Sequence, residues 1–337
     1  MNKNTNKETR ILIFVLLACV LIASVLLIAV INALNKSPES PAIAPPPTHV
    51  EIENIIGLSI KEVKTILETV GIQYEIIPTE SKVANRVEKI EFLGSTAESG
   101  TLLVEIGTTV KIYGNEVGKD KVIYLTFDDG PTQNNTIDIL DTLDTYGIKA
   151  TFFVIGNRVV EFATQIQETI NRGHTIGCHS YTHYIEKNNP YIIYDSIETL
   201  MNEVSMYEQA MISVIGEEKF ATIPKLFRFP GGSITNQWLN STTVHKYLSA
   251  LRENDYKIYD WTAETKDRNG LSTTEQFINN LSNELSSAKT NNKPLIVLMH
   301  DMKATKNALS EIIDYLIAEG YYFDTIDNCP EYTFTGN

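Results

Sequence analysis

The sequence predicts an α/β fold built on a parallel sheet, with a smaller α+β domain before it. From residue 119 onward, β-rich runs alternate with stretches of helical periodicity, which is typical of parallel strands joined by helices. Polar residues suited to catalysis follow several of these runs directly, and in (β/α) barrels the active site lies where the strands end. The pattern therefore favours a barrel or a doubly wound sheet over residues 119–337.

The N-terminus carries an uncharged segment long enough to span a membrane. Residues 11–33 are mostly Leu, Ile, Val and Ala, and about 20 such residues cross the hydrocarbon core. We expect this segment to anchor the protein in the cell membrane as its single span. Because Lys3, Lys7 and Arg10 precede it, residues 1–10 should be cytoplasmic and the residues after the span extracellular. A cleaved signal peptide is the alternative, although its apolar region would be shorter.

Residues 34–49 are rich in proline, which predicts a semi-rigid spacer. Residues 50–115 then have the pattern of a compact domain. Ser59 and Glu62 form a capping box ahead of an apolar stripe of helical spacing. The β-rich runs that follow are Tyr74–Ile77, Val87–Phe92 and Thr109–Tyr113. We expect one helix packed on a small antiparallel sheet.

This small domain resembles a PASTA repeat, an extracellular module of some bacterial cell-wall proteins. The matching residues are Ile55–Ser59 with the helix after them, Gly100-Thr101, and Gly107–Val110 near the end. The resemblance implies a domain that either binds the cell wall or acts as a spacer.

Six strands and six helices are predicted in the large domain. The strands are Val122–Leu125, Thr151–Ile155, Thr175–Cys178, Leu226–Phe229, Tyr256–Tyr259 and Leu295–Met299. The helices are Ile137–Tyr146, Val160–Arg172, Ile192–Glu208, Thr243–Glu253, Thr274–Thr290 and Lys306–Glu319.

The net charge argues against a nucleic-acid partner, and the positions of the cysteines argue against a site built from them. The formal net charge of -14 argues against a nucleic-acid partner, whose phosphates would repel such a surface. The cysteines Cys19, Cys178 and Cys329 lie far apart, so they form neither a disulfide framework nor a zinc–thiolate site.

Two motifs carry ligands for a divalent metal. Asp128 and Asp129 end the first apolar run of the large domain, and His179 and His183 follow another run. One Asp with two His can bind a metal and leave positions open for water and substrate, so the second Asp is free to act as a base. We expect the adjacent carboxylates to point to different faces, and the histidines to meet on one side of a helical turn. The combination predicts metal-assisted hydrolysis.

Two further strand ends carry polar residues. Arg228 presents a planar fork that can hold a carboxylate, and Gly231 after it allows a backbone N–H to approach a ligand. His300 ends an apolar run, where burial can tune it as a proton donor. The structural alternative for the segment at Arg228 is an ordinary strand-to-loop turn. The structural alternative for His300 is a histidine buried in the core.

Together these motifs resemble those of the NodB-homology polysaccharide deacetylases, carbohydrate esterase family 4, which remove N-acetyl or O-acetyl groups from glycans. The five motifs are, in order, Thr126–Gly130, His179–His183, Arg228–Gly232, Asp260-Trp261 with Asp267, and Leu298–His300. The resemblance implies a distorted (β/α) barrel with fewer than eight full units.

The resemblance also implies catalytic roles. Asp128 would be the base, Arg228 would orient it, and His300 would be the acid. The metal ligands would be Asp129, His179 and His183. The residues at the oxyanion and the substrate would be Gly231, Trp261 and Leu298.

The resemblance implies a divalent metal, zinc foremost, with cobalt, manganese and nickel as alternatives. Either Asp267 or Glu264 would be the partner of His300. Arg268 stands where many members carry a tryptophan.

We therefore expect a metal-dependent enzyme that removes N-acetyl groups from cell-wall glycan, foremost from the N-acetylglucosamine of peptidoglycan. Chitin-like oligomers and O-acetylated xylan remain open as substrates. The alternative function is that of a binding protein, which would attach to the cell wall without catalytic activity.

Overall fold

The computed structural model describes residues 49–52, 55–92, 95–97, 102–183, 192–233, 241–268 and 273–334. His49–Asn337 form one compact unit. The predicted membrane segment at residues 11–33 lies outside the described residues, as do residues 1–10 and all but the last residue of the 34–49 linker. Within the described ranges, no helix is both long and apolar enough to cross a membrane.

The helix of the small domain, α1 (Ile60–Thr69), begins at the predicted capping box. The Ser59 hydroxyl accepts a hydrogen bond from the Glu62 N–H at 3.2 Å, and the Glu62 carboxylate accepts one from the Ser59 N–H at 3.0 Å. These two bonds satisfy donors that a helix start leaves free. The buried face of α1 includes Val63 and Leu67, which pack into the core of the small domain.

The strands of the small domain are β1 (His49–Ile52), β2 (Gln73–Ile77), β3 (Lys89–Phe92), β4 (Ser95–Ala97), β5 (Leu102–Glu105) and β6 (Thr109–Tyr113). Strands β1 and β5 form an antiparallel pair, and the other four form a sheet of order β2-β6-β3-β4. The prediction of an antiparallel sheet was wrong in one pairing, because β2 and β6 are parallel. The long chain between these two strands leaves room for the crossover that a parallel pair needs.

The large domain is built on one parallel sheet. Its strands are β7 (Val122–Gly130), β8 (Thr151–Val154), β9 (Thr175–Cys178), β10 (Leu226–Phe227), β11 (Lys257–Ile258), β12 (Ala263–Glu264), β13 (Leu295–His300) and β14 (Tyr322–Phe323). The order is β11-β10-β9-β8-β7-β13-β12, and β14 pairs with the start of β7. Among the described strands, β11 and β12 do not pair with each other, so the sheet is an open half-barrel.

The helices of the large domain follow the predicted alternation. They are α2 (Thr136–Thr145), α3 (Gly156–Val159), α4 (Ala163–Asn171), α5 (Ile197–Ile215), α6 (Glu217–Phe220), α7 (Ser241–Arg252), α8 (Thr274–Thr290) and α9 (Lys303–Ala318). The helix predicted over Val160–Arg172 is present as α4, although it begins at Ala163. The backbone leaves the helical region at Phe162, with φ -111° and ψ 44°, and separates α3 from α4.

The residues of β7 alternate between two apolar clusters. Ile123, Leu125 and Phe127 belong to the main core, which includes residues of the surrounding helices. Val122 and Tyr124 belong to a second cluster on the inner side of the curved sheet. Because side chains alternate along a strand, the next positions of the inner series are residues 126 and 128. Along β7, the polar side chains of the inner series, Thr126 and Asp128, therefore lie toward the carboxyl end of the strand.

The small domain joins the opposite end of the sheet. The Ala84 N–H donates to the Phe323 carbonyl at 2.9 Å, and the Phe323 N–H donates to the Lys82 carbonyl at 2.8 Å. Arg86 adds an ion pair to the buried Asp324 at 3.4 Å. Ala84 is fully buried within the inner cluster of the half-barrel. The two parts of the unit thus share backbone pairing and apolar core.

Candidate active site

The parallel pairing of β7 and β13 brings the predicted base and acid together. His300 lies directly opposite Asp128 in the register of the two strands. The Asp301 N–H donates to the Asp128 carbonyl at 2.8 Å, so the pairing continues past the end of β13. The carboxyl ends of these strands therefore form the floor of one site.

A β-bulge at the end of β7 turns two adjacent carboxylates toward the same histidine. The pairing with β8 shifts between Asp128 and Gly130, and Asp129 has a φ of 67°. Asp tolerates this left-handed conformation better than most residues. His179 Nε2 lies 3.7 Å from Asp128 Oδ2 and 3.5 Å from Asp129 Oδ1. The expectation that the carboxylates point to different faces was wrong, because the bulge interrupts the alternation of the strand.

His179 and His183 lie in the loop after β9. The helical turn expected from their spacing is wrong, because Ser180 and His183 have φ values of 60° and 49°. His179 Nδ1 lies 2.9 Å from the Arg228 carbonyl, and a proton on Nδ1 leaves the Nε2 lone pair free. His183 Nε2 lies 3.1 Å from Asp129 Oδ1. A loop, and not a helix, brings the two imidazoles to one carboxylate.

Asp129, His179 and His183 fit a divalent metal. One potential ligand atom from each residue lies within 4.8 Å of the other two. Oδ1 of Asp129 is buried and accepts no hydrogen bond from the described residues. Burial opposes ionisation, but the neighbouring His179 and His183 rings outweigh it and hold the pKa of Asp129 below its usual range. An ionised oxygen between two imidazoles suits a first-row divalent cation.

Arg228 is fully buried beneath the site. Its Nη1 donates to Asp128 Oδ1 at 2.8 Å and to the Thr126 hydroxyl at 2.7 Å. Its Nε donates to the Tyr259 carbonyl at 2.9 Å, and its guanidinium carbon lies 4.2 Å from the centre of the Phe153 ring. These contacts fix the guanidinium, which in turn fixes one oxygen of Asp128.

Asp267 is the acidic partner of His300. Its Oδ1 lies 2.7 Å from His300 Nδ1, and its Oδ2 accepts the His300 N–H at 2.7 Å. The Thr305 hydroxyl also donates to Oδ2, at 2.5 Å. Burial lowers the pKa of His300, but the Asp267 carboxylate outweighs burial and raises the pKa above its ordinary value. Glu264, the other candidate, lies in β12, where its N–H donates to Glu284 at 2.7 Å.

The remaining predicted residues lie around the same strand ends. Gly231 is exposed and has a φ of 80°, which a residue with a side chain rarely adopts. Trp261 is half-buried, with its ring centre 5.9 Å from the Arg228 guanidinium carbon. Leu298 is buried and precedes His300 by two residues on β13, so both lie on the inner face.

Comparison with known proteins identifies the family. The family model of polysaccharide deacetylase matches residues 115–253. A peptidoglycan-N-acetylglucosamine deacetylase of Bacillus cereus is 32% identical over 279 residues, which cover 80% of this chain and 92% of that protein. The chain is a polysaccharide deacetylase.

Solved structures of deacetylases and esterases share the fold. A polysaccharide deacetylase of Bacillus cereus has 30% sequence identity and a TM-score of 0.51, covering 64% of this chain and 97% of that one. A CE4 esterase of Streptococcus mutans has 26% identity and a TM-score of 0.54, covering 61% and 86%. The predicted catalytic domain and the hydrolase class are therefore confirmed.

Two arginines that we did not assign to the deacetylase site from the sequence hold Asp129. Arg158 Nη1 donates to the Asp129 carbonyl at 2.6 Å, and Arg268 Nη1 donates to Asp129 Oδ2 at 2.5 Å. Because Arg268 takes Oδ2, Oδ1 is the oxygen that faces the two imidazoles. The replacement of a tryptophan by Arg268 was the only sequence feature that pointed to either residue.

Asp301 supports the turn that follows Asp128 and Asp129. It is buried, and its carboxylate accepts hydrogen bonds from the Thr132 hydroxyl at 2.8 Å and the Thr136 hydroxyl at 2.5 Å. A Cβ at Gly130 would lie 2.6 Å from Asp301 Oδ2. The motif therefore needs glycine at this position for a steric reason.

Proposed function

We propose that this polysaccharide deacetylase removes N-acetyl groups from the N-acetylglucosamine residues of peptidoglycan. The observation that carries the substrate is the match to the Bacillus cereus peptidoglycan-N-acetylglucosamine deacetylase over 92% of that protein. The grouping of Asp128, His300 and the three candidate metal ligands supports the same activity, since amide hydrolysis needs a base, an acid and an electrophile.

The metal in this proposal is zinc, held by Asp129, His179 and His183. Nitrogen and carboxylate ligands in a set of three are typical of catalytic zinc sites, and cobalt, manganese and nickel are the alternatives. When bound, the cation supplies Lewis acidity to water and to the acetyl carbonyl.

The chain's own residues supply the proton transfers. Asp128, held in place by its bond to Arg228, takes a proton from the attacking water. The N–H of Gly231 donates to the oxygen on which negative charge develops. His300, held by Asp267, gives its proton to the amide nitrogen as the C–N bond breaks. Acetate and a free amino sugar leave.

We propose that the enzyme works outside the cell membrane. The apolar segment at residues 11–33 would anchor it, residues 34–49 would extend from the membrane, and the PASTA-like domain at residues 50–115 would lie between linker and catalytic domain. The negative net charge supports a partner other than nucleic acid.

Acetate release from defined glycans tests the function. Purified full-length chain with added zinc should release acetate from peptidoglycan faster than from chitin oligomers or acetylated xylan. The matched control is Asp129→Asn, which keeps the size of the side chain and lacks the ionised metal ligand. Faster release from xylan or chitin would replace the proposed substrate, and no release from any glycan would indicate a silent wall-binding protein.

A further inference from the structure

The two candidate metal-binding histidines are held in different ways. The His179 N–H donates to the Val154 carbonyl at 3.0 Å, and its ring contacts the Arg228 carbonyl, so neighbouring strands fix it. His183 lies four residues further along, in the left-handed region of the backbone. Its own N–H donates to the Ser180 hydroxyl at 3.0 Å, within the same loop. The position of His183 therefore depends on what holds that loop.

Glu203, on helix α5, holds the two residues between Ser180 and His183. Its Oε2 accepts the N–H of Tyr181 at 2.9 Å and the N–H of Thr182 at 2.7 Å. The Thr182 hydroxyl lies 3.1 Å from each of its carboxylate oxygens. Glu203 is only 7% exposed, so little water competes with these N–H groups for its side-chain oxygens.

The helix that carries Glu203 is a firm support. The side chains of Leu200, Val204 and Tyr207 on α5 are buried in the main core. The α-carbon of Tyr207 lies 3.2 Å from the position of a Cβ built at Gly156, so α5 packs tightly against α3. A carboxylate on such a helix is held in place by packing rather than by the loop it contacts.

We propose that Glu203 is a positioning residue for the metal site, which fixes Tyr181 and Thr182 so that the imidazole of His183 reaches Asp129. The proposal rests on the proposed function in that these residues bind a divalent cation. Without the carboxylate, the backbone N–H groups of Tyr181 and Thr182 lose their bonds to Glu203, and these bonds no longer tie the left-handed turn to α5.

Zinc affinity of the purified full-length chain, measured by competition with a chelator, tests this role without using activity. Glu203→Ala should weaken zinc binding about tenfold or more, as is usual when the support of a metal ligand is lost. Glu203→Gln should bind like the unchanged chain, because its amide oxygen accepts both N–H groups and its NH₂ can face the Thr182 hydroxyl. Glu203→Asp keeps the charge but is one methylene shorter, so it should also bind more weakly.

Two comparisons separate positioning from general damage. Glu198→Ala removes an exposed glutamate of the same helix and should leave zinc affinity unchanged. In a His183→Ala background, Glu203→Ala should lower the affinity no further, since its effect acts through His183. A folded Glu203→Ala or Glu203→Asp chain that binds zinc as tightly as the unchanged chain would overturn the inference. An unchanged chain that binds zinc but releases no acetate would instead refute the proposed function.

Discussion

Replacement of Arg228 by leucine should destabilise the protein chiefly because it leaves a charge buried. Arg228 is 0% exposed and Asp128 is 3% exposed, so water cannot take the place of the guanidinium. The bond lost is 2.8 Å long, and the Thr126 hydroxyl and Tyr259 carbonyl also lose a donor. Removal of one partner of a buried ion pair costs about 3–5 kcal/mol of the free energy of unfolding.

A second substitution tests whether the buried charge is the cause. If it is, Asp128→Asn in the Arg228→Leu background should restore part of the stability, about 1–3 kcal/mol, although activity stays lost. Urea unfolding at pH 7 in the presence of a chelator measures all four chains of this cycle. The matched control is Arg252→Leu, whose ion pair with Glu331 is partly exposed and should cost less than about 1 kcal/mol.

The reasoning would be refuted if the double variant were no more stable than Arg228→Leu alone. That result would assign the loss to the packing of Arg228 against Phe153, 4.2 Å away, rather than to the Asp128 charge. Arg228→Lys also separates the effect of charge from the effect of packing, because lysine keeps the positive charge and lacks the planar guanidinium.

Three further predictions concern the site and the pH dependence. Asp128→Asn should abolish turnover and keep the bound metal, whereas Asp129→Asn should lose both turnover and metal; equal metal content in the two purified proteins would contradict the division of roles. With His300 as the proposed acid and its pKa raised, activity should fall as the pH rises through that pKa. His300→Ala should remove this alkaline limb and slow amides more than activated esters, as pH–rate profiles on both substrates would show. Burial and the Lys149 charge lower the pKa of His174 to about 3 from its ordinary 6.5, so its neutral form is required by the fold. The free energy of unfolding should therefore fall by about 2 kcal/mol between pH 8 and pH 5 through this group, and by less in His174→Asn, with urea unfolding at the two pH values as the measurement.

The grouping of the site was predictable where residues follow long apolar strands. Asp128 and His300 each end such a run, and parallel strands bring their carboxyl ends to one edge. The two-residue strands β12 and β14 were not predicted, because two residues are too few to show the alternation of apolar and polar side chains that marks a strand.

Contacts that depend on loops were not predictable from spacing. The histidines were expected together for the wrong reason, since positive φ at Ser180 and His183 replaces a helical turn. Arg268 reaches Asp129 across 139 residues of sequence, and Glu203 reaches Thr182 from a helix. Such pairings follow from tertiary packing, which a single sequence does not encode in a local pattern.

The attachment of the small domain determines which way the catalytic end of the sheet faces. Residues 82–86 contact Phe323 and Asp324, which lie beside Ile123 near the start of β7, whereas Asp128 lies five residues further along that strand. At about 3.3 Å per residue, this contact and the candidate active site lie about 17 Å apart, at opposite ends of the sheet. A glycan can therefore approach the mouth without passing the junction. A support or fluorescent label coupled to the small domain would consequently sit behind the enzyme and leave its mouth unobstructed.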